Sequence, residues 1–142
     1  MNEYKHILVG LDLSNDCTRI LDKAGDIARA FGADISIAHV VEPLAFAYGG
    51  DVPIDLTEAQ SVMEQQAKTR LAKIVDEVQV APQEQYVRVG QASSELHRIA
   101  EDHGIDLIVV GSHGRHGLAL LFGSITKGVV QNAKCDVLAV RV

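Results

Sequence analysis

The segment KHILVGLDLS, residues 5–14, decides the fold class, because a mostly apolar run is followed at once by an aspartate and a serine. An apolar run without polar alternation, here Lys5–Leu11, is typical of a strand buried on both faces of a parallel sheet. Ser14 is placed to cap a helix, whose apolar residues recur every three or four positions between Ile20 and Phe31. Gly32 is predicted to end that helix in the left-handed conformation. The segment therefore predicts a strand followed by a helix that packs on it.

The alternation of strand and helix continues along the chain. Further strands are predicted at Asp34–Val41, Glu84–Gly90, Asp106–Gly111 and Asp136–Val142. Further helices are predicted after Thr57, after Ser93 or Ser94 as far as Gly104, and over Ser124–Ala133. The order predicts an α/β fold, a three-layer α/β/α sandwich with a five-stranded parallel sheet and right-handed crossovers. We find no linker, repeat or low-complexity tract, so one domain is predicted over residues 1–142.

The longest predicted helix follows Thr57, which has capping-box spacing with Gln60. Its apolar residues fall on one side, which we expect to be buried. They are Val62, Met63, Ala67, Leu71, Ile74, Val75 and Val78.

Composition excludes several classes of function. The net charge of −6, with 4% aromatic residues and no tryptophan, disfavours nucleic acid as the main partner. The chain has no apolar run of the roughly 18 to 20 residues that a membrane-spanning helix needs. The first residues lack the pattern of a signal peptide, and Cys17 and Cys135 suggest no disulfide framework. These features predict a cytoplasmic protein.

The most unusual loop is GSHGRHGLALLFGSITKG, residues 111–128, which leaves an apolar strand and enters a helix. Its glycines allow a ligand to approach the backbone, whose N–H groups and helix N-terminus attract anions. Ser124 adds a hydroxyl, and Arg115 adds a forked cation that suits phosphate oxygens. The pattern is neither a P-loop nor the dinucleotide fingerprint G-x-G-x-x-G. The loop therefore predicts a phosphate site, the alternative being a plain connection whose glycines only permit tight turns.

Several stretches together resemble the universal stress protein family. They are ILVGLDLS, IAHVVE, GSHG, FGSITKGVV and CDVLAVRV. The resemblance covers essentially the whole chain and implies a Rossmann-like sheet of order 3-2-1-4-5, in which the first and fourth strands are neighbours. One branch of the family binds ATP through G-x2-G-x9-G-[ST], whereas another lacks this motif. Here Gly111, Gly114, Gly123 and Ser124 match it, except that eight residues separate Gly114 from Gly123.

The resemblance implies a role for each residue of the site. Asp12 would bind the ribose or adenine side of ATP, AMP or ADP, or a nucleotide-bound Mg²⁺, because a carboxylate beside phosphates is repelled. The alternative for Asp12 is a carboxylate stabilised by a helix N-terminus. Leu11 and Val40 would form apolar walls for the adenine. The remaining implied contacts, with ribose and phosphates, are made by Gly111, Gly114, Gly123, Ser124 and the Ile125 amide.

Two histidines of the loop, His113 and His116, have no third ligand of known position, so no metal site is predicted. Together with Arg115 they make the loop attractive to phosphate, the alternative being simple solvent exposure. His39 is predicted to be a core histidine, and His6 a surface one. The segment Pro43–Asp55 is a candidate lid over the site, and its sequence has no readable chemistry beyond flexibility.

The predicted function is that of a nucleotide-binding stress-response protein, acting as a regulatory switch or adaptor. Only Asp12 and Arg115 could assist hydrolysis, so at most slow ATP hydrolysis is expected. The alternatives are an adaptor of the same family that binds proteins but no nucleotide, and a small-molecule enzyme on a generic α/β fold. The apolar last strand, residues 136–142, is predicted to pair with a second copy in a homodimer, unless the chain's own helices cover it.

Overall fold

The structure is a computed structural model that describes residues 3–43, 56–112 and 124–142. Strands and helices alternate along the chain, as the sequence predicts. Within the described residues, no helix is long and apolar enough to cross a lipid bilayer. The elements are β1 His6–Gly10, α1 Cys17–Phe31, β2 Asp34–Val41, α2 Thr57–Glu77, β3 Glu84–Val89, α3 Ala92–His103, β4 Leu107–Gly111, α4 Ser124–Gln131 and β5 Asp136–Val140.

The sheet has the order β3-β2-β1-β4-β5, and each neighbouring pair is parallel. This confirms the predicted parallel sheet and its order. β1 lies at the centre, where it pairs with β2 through Gly10 and Ala38 and with β4 through Val9 and Val109. β3 and β5 form the two outer edges of the sheet.

Two apolar cores lie on the two faces of the sheet. Ile7 and Val9 point into the core under α1 and α2, whereas Leu8 points into the core under α3 and α4. All three side chains are 0% exposed, so β1 is buried on both faces as its apolar run predicts. Helices on both faces of a parallel sheet give the three-layer sandwich.

The helix ends match the sequence better than the helix starts. Gly32 and Gly104 end α1 and α3 in the left-handed conformation, with φ of 64° and 66°. α1 begins at Cys17, two residues later than a cap at Ser14 would place it, and the Ser14 hydroxyl accepts a hydrogen bond from the Asp16 amide at 3.3 Å. The helix starts late because the backbone at residues 12–14 forms a turn, and the helix can begin only after that turn.

α3 also starts differently from the prediction. Gln91 is its last non-helical residue, with an extended backbone at φ −80° and ψ 129°. Ser93 and Ser94 therefore lie inside the first turn and do not precede it. The Ser94 hydroxyl donates to the Gln91 side chain at 2.7 Å, a local contact that replaces the expected serine cap.

α2 is only half buried on its apolar side. Ala67, Leu71 and Ile74 are buried against the sheet, as predicted. Val62 and Met63 remain 50% and 37% exposed, so the expectation of burial is wrong for these two residues. The buried residues of α2 begin only at Ala67, and Leu71 and Ile74 belong to the core under α1, so the first turns of the helix extend past the described core.

Hydrogen bonds close the amino-terminal edge of the sheet, where the strands begin. The Asp106 carboxylate accepts from the backbone amides of Lys5 and His6 at 2.9 and 3.1 Å. The His6 ring nitrogen Nε2 lies 2.7 Å from the hydroxyl of Ser36, which is 0% exposed. His6 is therefore partly buried and satisfies a core hydroxyl, which corrects its assignment to the surface. Beside it, Tyr4 donates to Asp136 at 2.7 Å.

Candidate functional site

A crevice is expected where β1 and β4 end, because ligands of open α/β sheets bind beyond the carboxyl ends of strands at the point where strand order reverses. The sheet runs outward from β1 to β2 on one side and to β4 on the other. The register joins Val9 with Val109, so its continuation brings Gly10 opposite Val110 and Leu11 opposite Gly111, where the two strands end. The loop of Asp12 and the glycine-rich loop therefore start at the same place.

Asp12 is held by a tight turn directly after β1. Its oxygen Oδ1 accepts a hydrogen bond from the Ser14 amide at 2.9 Å, and the Cys17 thiol lies 3.9 Å from the same oxygen. Leu13, between Asp12 and Ser14, has a φ of 63°, which is uncommon for a residue other than glycine. The local contacts thus use one carboxylate oxygen and leave Oδ2 outside these bonds.

Cys17 is the first residue of α1 and is 1% exposed. Burial, followed by the charge of Asp12, raises the pKa of this thiol from 9.0 to about 11. The thiol therefore stays protonated near neutral pH, as expected of a small buried residue rather than a reactive thiolate.

Leu11 and Val40 lie on opposite faces of the sheet. Leu11 is 4% exposed and packs in the core under α1, whereas Val40 is half-buried and packs against the core under α3. The Leu11 amide donates to the Ala38 carbonyl at 2.9 Å. The Leu11 carbonyl accepts from His39 Nδ1 at 2.7 Å, which requires the hydrogen on that nitrogen. His39 thus fixes the chain just before Asp12.

Gly10 allows α3 to approach the end of β1. A Cβ at this position would lie 3.0 Å from a methyl carbon of Leu96 and 3.2 Å from one of Val110. Both distances are shorter than ordinary contacts between carbon atoms. The glycine that precedes Leu11 and Asp12 in the sequence is therefore explained by packing under the crevice.

The flanks of the glycine-rich loop are tied together by Thr126. This residue lies in the first turn of α4, is 3% exposed, and donates its hydroxyl to the Gly111 carbonyl at 2.5 Å. Ser112, the next residue of the loop, donates its amide to the Val140 carbonyl at 2.7 Å. Sequence reasoning missed both Ser112 and Thr126. A polar residue on the apolar side of a short helix was the signal that could have identified Thr126.

The other predicted site residues are placed only in part. Ser124 and Ile125 begin α4, as the sequence predicts. His113, Gly114, Arg115, His116 and Gly123 lie outside the described residues, as do residues 44–55 of the predicted lid. Residues 3–43, 56–112 and 124–142 contain no group of three or more His, Cys, Asp or Glu side chains that could hold a metal ion.

Known proteins are similar to this chain in sequence and in fold. The chain is 38% identical over 139 residues to universal stress protein A homolog 1 of Coxiella burnetii, with 96% of each chain covered. A universal stress protein solved in complex with cAMP is 28% identical, with a TM-score of 0.64 over 99% of this chain and 98% of the other. The hypothetical protein MJ0577 is 25% identical, with a TM-score of 0.80 over 99% and 98% of the two chains.

A family model points to the same relatives. The model described as "Universal stress protein family" matches residues 3–141. The match spans the Asp12 turn, the glycine-rich loop and the last strand, which are the features that carry the resemblance in sequence. The chain belongs to the universal stress protein family.

Proposed function

We propose that this protein binds an adenine nucleotide (ATP, ADP or AMP, alone or with Mg²⁺) in the crevice between β1 and β4, and acts as a regulatory switch or adaptor in the stress response. The observation that carries the proposal is the hydrogen bond from Thr126 to the Gly111 carbonyl. It holds the first turn of α4 against the end of β4, beside the strand that leads to Asp12. A helix N-terminus and a carboxylate then share one crevice.

The two groups suit opposite parts of a nucleotide. The N-terminus of α4, which begins at Ser124, provides N–H donors and a partial positive charge for the phosphates. Asp12 would be repelled by phosphate, and its Oδ2 suits the ribose hydroxyls, an adenine N–H or a bound Mg²⁺. The cyclic adenine nucleotide in the complex of a 28% identical relative supports a ligand of this class.

Regulation by binding is proposed in preference to catalytic turnover. Phosphoryl transfer needs an oriented nucleophile and groups that neutralise the leaving phosphate. In this sequence only Asp12 and Arg115 have suitable chemistry near the loop. Any ATP hydrolysis is therefore expected to be slow and to act as a timer for the bound state.

The proposal is tested by identifying the ligand and then measuring its affinity. Protein purified without added nucleotide is denatured and the released molecules are identified by mass spectrometry, after which Mg-ATP is titrated by calorimetry. Gly114→Val and Asp12→Asn should weaken binding, whereas Asp16→Asn removes the same charge from an exposed neighbour and should not. Absence of both released nucleotide and binding heat at millimolar ATP would instead favour the adaptor that binds only proteins.

We further propose a homodimer formed through residues 136–142, which are the edge strand β5 and the two residues that follow it. Val140 pairs with Gly111 and its carbonyl accepts the Ser112 amide, so by strand alternation the backbone groups of Ala139 point away from β4. An unpaired apolar edge of this kind favours pairing with a second copy. Ala139→Pro removes one outward N–H and should raise the dimer dissociation constant, whereas Ala139→Ser should not. A wild type that light scattering finds monomeric at micromolar concentration rejects the dimer.

The cytoplasm is the proposed site of action. The support is that Cys17 and Cys135 are both free thiols, which is usual for proteins of a reducing compartment. Cell fractionation with an antibody to the protein would test this assignment.

A further inference from the structure

Three hydrogen bonds meet at the start of the glycine-rich loop. The Thr126 hydroxyl donates to the Gly111 carbonyl, and the Ser112 amide donates to the Val140 carbonyl. The third bond runs from the Val142 amide to the Ser112 hydroxyl at 3.3 Å. We call these three bonds the clasp. It joins the two flanks of the loop to each other and to the carboxyl end of β5.

The Ser112 side chain extends the pairing of β4 and β5 beyond its last backbone bond. In a parallel ladder, the Val142 amide would next be paired with a backbone carbonyl of the strand that contains Gly111. Here the hydroxyl of Ser112 accepts that amide instead. Residues 141 and 142 are therefore attached through a side chain that belongs to the glycine-rich loop, although β5 itself ends at Val140.

We propose that Ser112 is a positioning residue that couples nucleotide binding at the loop to the order of the segment Val140–Val142. The inference rests on the proposed function, and it names a regulation of that same site. When Val142 holds the Ser112 hydroxyl, the direction in which the chain leaves Gly111 is fixed. The bond from Thr126 ties the first turn of α4 to the same residue, so this turn has less conformational entropy to lose when a phosphate binds at its N-terminus.

The coupling is reciprocal because it is a difference in free energy between two linked states. A nucleotide that binds the ordered loop stabilises the bond between Ser112 and Val142. Conversely, anything that pairs with the outer edge of β5 orders Val142 and raises the affinity for nucleotide. One neutral hydrogen bond contributes about 1 kcal/mol, which corresponds to about a fivefold change in a dissociation constant.

The experiment removes each end of the bond separately. Ser112→Ala removes the acceptor, and Val142→Pro removes the amide donor while the chain length is kept. Each variant should raise the dissociation constant for Mg-ATP about fivefold, and the double variant should do no more than either one. Val142→Ala keeps the amide and Ser112→Thr keeps the hydroxyl, so both should bind as the wild type does.

Amide exchange measured by NMR separates this coupling from a general loss of stability. In the wild type, Mg-ATP should slow exchange of the Val142 amide about fivefold, and in Ser112→Ala this amide should exchange faster and no longer respond to ATP. Val142→Pro lies at the end of the described chain, so it keeps the test available if Ser112→Ala does not fold.

Two outcomes overturn the coupling in a wild type that binds ATP. One is affinity that stays unchanged in both single variants, and the other is effects that multiply to about 25-fold in the double variant, which would show that the two residues act independently. If the wild type binds no nucleotide, the proposed function is rejected on its own. Exchange of the Val142 amide then tests the bond between Val142 and Ser112 alone. Unchanged exchange in Ser112→Ala contradicts this bond, and faster exchange supports it.

Discussion

The two ends of the sheet treat their polar groups differently. At the amino-terminal edge, Asp106 accepts two backbone amides, and His6 pairs with the buried Ser36. At the carboxyl-terminal edge, Asp12 uses its Oδ1 in a local turn, and this turn includes Leu13 in the left-handed conformation. Asp106 and His6 thus join distant parts of the chain, whereas the bonds that the Asp12 carboxylate makes to the described residues all come from residues within five positions of it.

The difference indicates how this fold divides stability from function. Contacts between residues far apart in sequence, such as Asp106 with Lys5, stabilise the folded state because they exist only there. A turn that places a non-glycine residue at φ 63° is a local cost that the surrounding structure must offset. A substitution of Asp106 should therefore lower stability and leave binding unchanged, whereas a substitution of Asp12 should weaken binding and leave stability nearly unchanged.

The largest effect is expected for Asp106→Ala. The substitution leaves the amides of Lys5 and His6 without their acceptor, so the free energy of unfolding should fall by about 3 kcal/mol. Urea unfolding measures the change, with Asp102→Ala as a control at an exposed carboxylate of α3. The expected difference between the two edges is contradicted if Asp106→Ala is as stable as the control but binds nucleotide more weakly.

Cys17 should make stability depend on alkaline pH. The fold raises its pKa from 9.0 to about 11, so the unfolded chain loses this proton first as the pH rises. The contribution is fully present below pH 9 and is lost towards pH 11, to a total of at most about 2.7 kcal/mol.

Unfolding curves of the wild type and Cys17→Ala at several pH values measure this contribution. The stability of Cys17→Ala should fall less steeply between pH 9 and 11, and Cys135→Ala should change the slope less, because its thiol is only half-buried. Parallel curves for wild type and Cys17→Ala would show that the Cys17 thiol ionises equally easily in the folded and unfolded states.

Asp12→Ala should separate binding from stability. Loss of the carboxylate is expected to weaken nucleotide binding about tenfold, equal to about 1.4 kcal/mol for a charge-assisted contact. Because the only strong bond it makes to the described residues is the local one from the Ser14 amide, the free energy of unfolding should change by less than about 1 kcal/mol. Calorimetry and urea unfolding measure the two quantities. If the variant is strongly destabilised but binds nucleotide with normal affinity, Asp12 contributes to stability, as Asp106 does, and not to binding.

Tyr4 gives the smallest expected effect. Its hydrogen bond to Asp136, followed by burial, raises the pKa of its phenol above 10.0. The bond therefore contributes fully below pH 10 and is lost as the pH rises through the raised pKa. Tyr4→Phe should lower stability at pH 7 by about 0.5 kcal/mol, because the contact is exposed. Equal stability of the two proteins at pH 7 would mean that the bond is not formed in solution.

The architecture could be predicted from sequence because it depends on patterns of several residues. The structure matches three such patterns. They are the apolar run around Val9, the glycine at position 32 that ends α1, and the strand Asp34–Val41. The strand order did not follow from these patterns. It was implied by the family resemblance, because the sequence alone allows several orders of five parallel strands.

The individual contacts, inside and outside the site, could not be predicted, because they depend on residues that only the fold brings together. His6 lies in a polar start of a strand, and nothing in the sequence shows that Ser36 is beside it. Thr126 and Gly111 are likewise joined across the glycine-rich loop. Val62 and Met63 follow the helical period well, but the period does not show how far the sheet reaches under α2.

The central position of β1 has a consequence for how the protein is made. β1 leaves the ribosome well before one of its two neighbours, β4, which lies about 100 residues further along the chain. At synthesis rates of about 5–20 residues per second, β1 waits roughly 5–20 s before β4 can join it. During this time β1, which is buried at the centre of the finished sheet, is an exposed apolar edge strand. The nascent chain is therefore most prone to aggregation, and most in need of a chaperone, before residue 107 has been added.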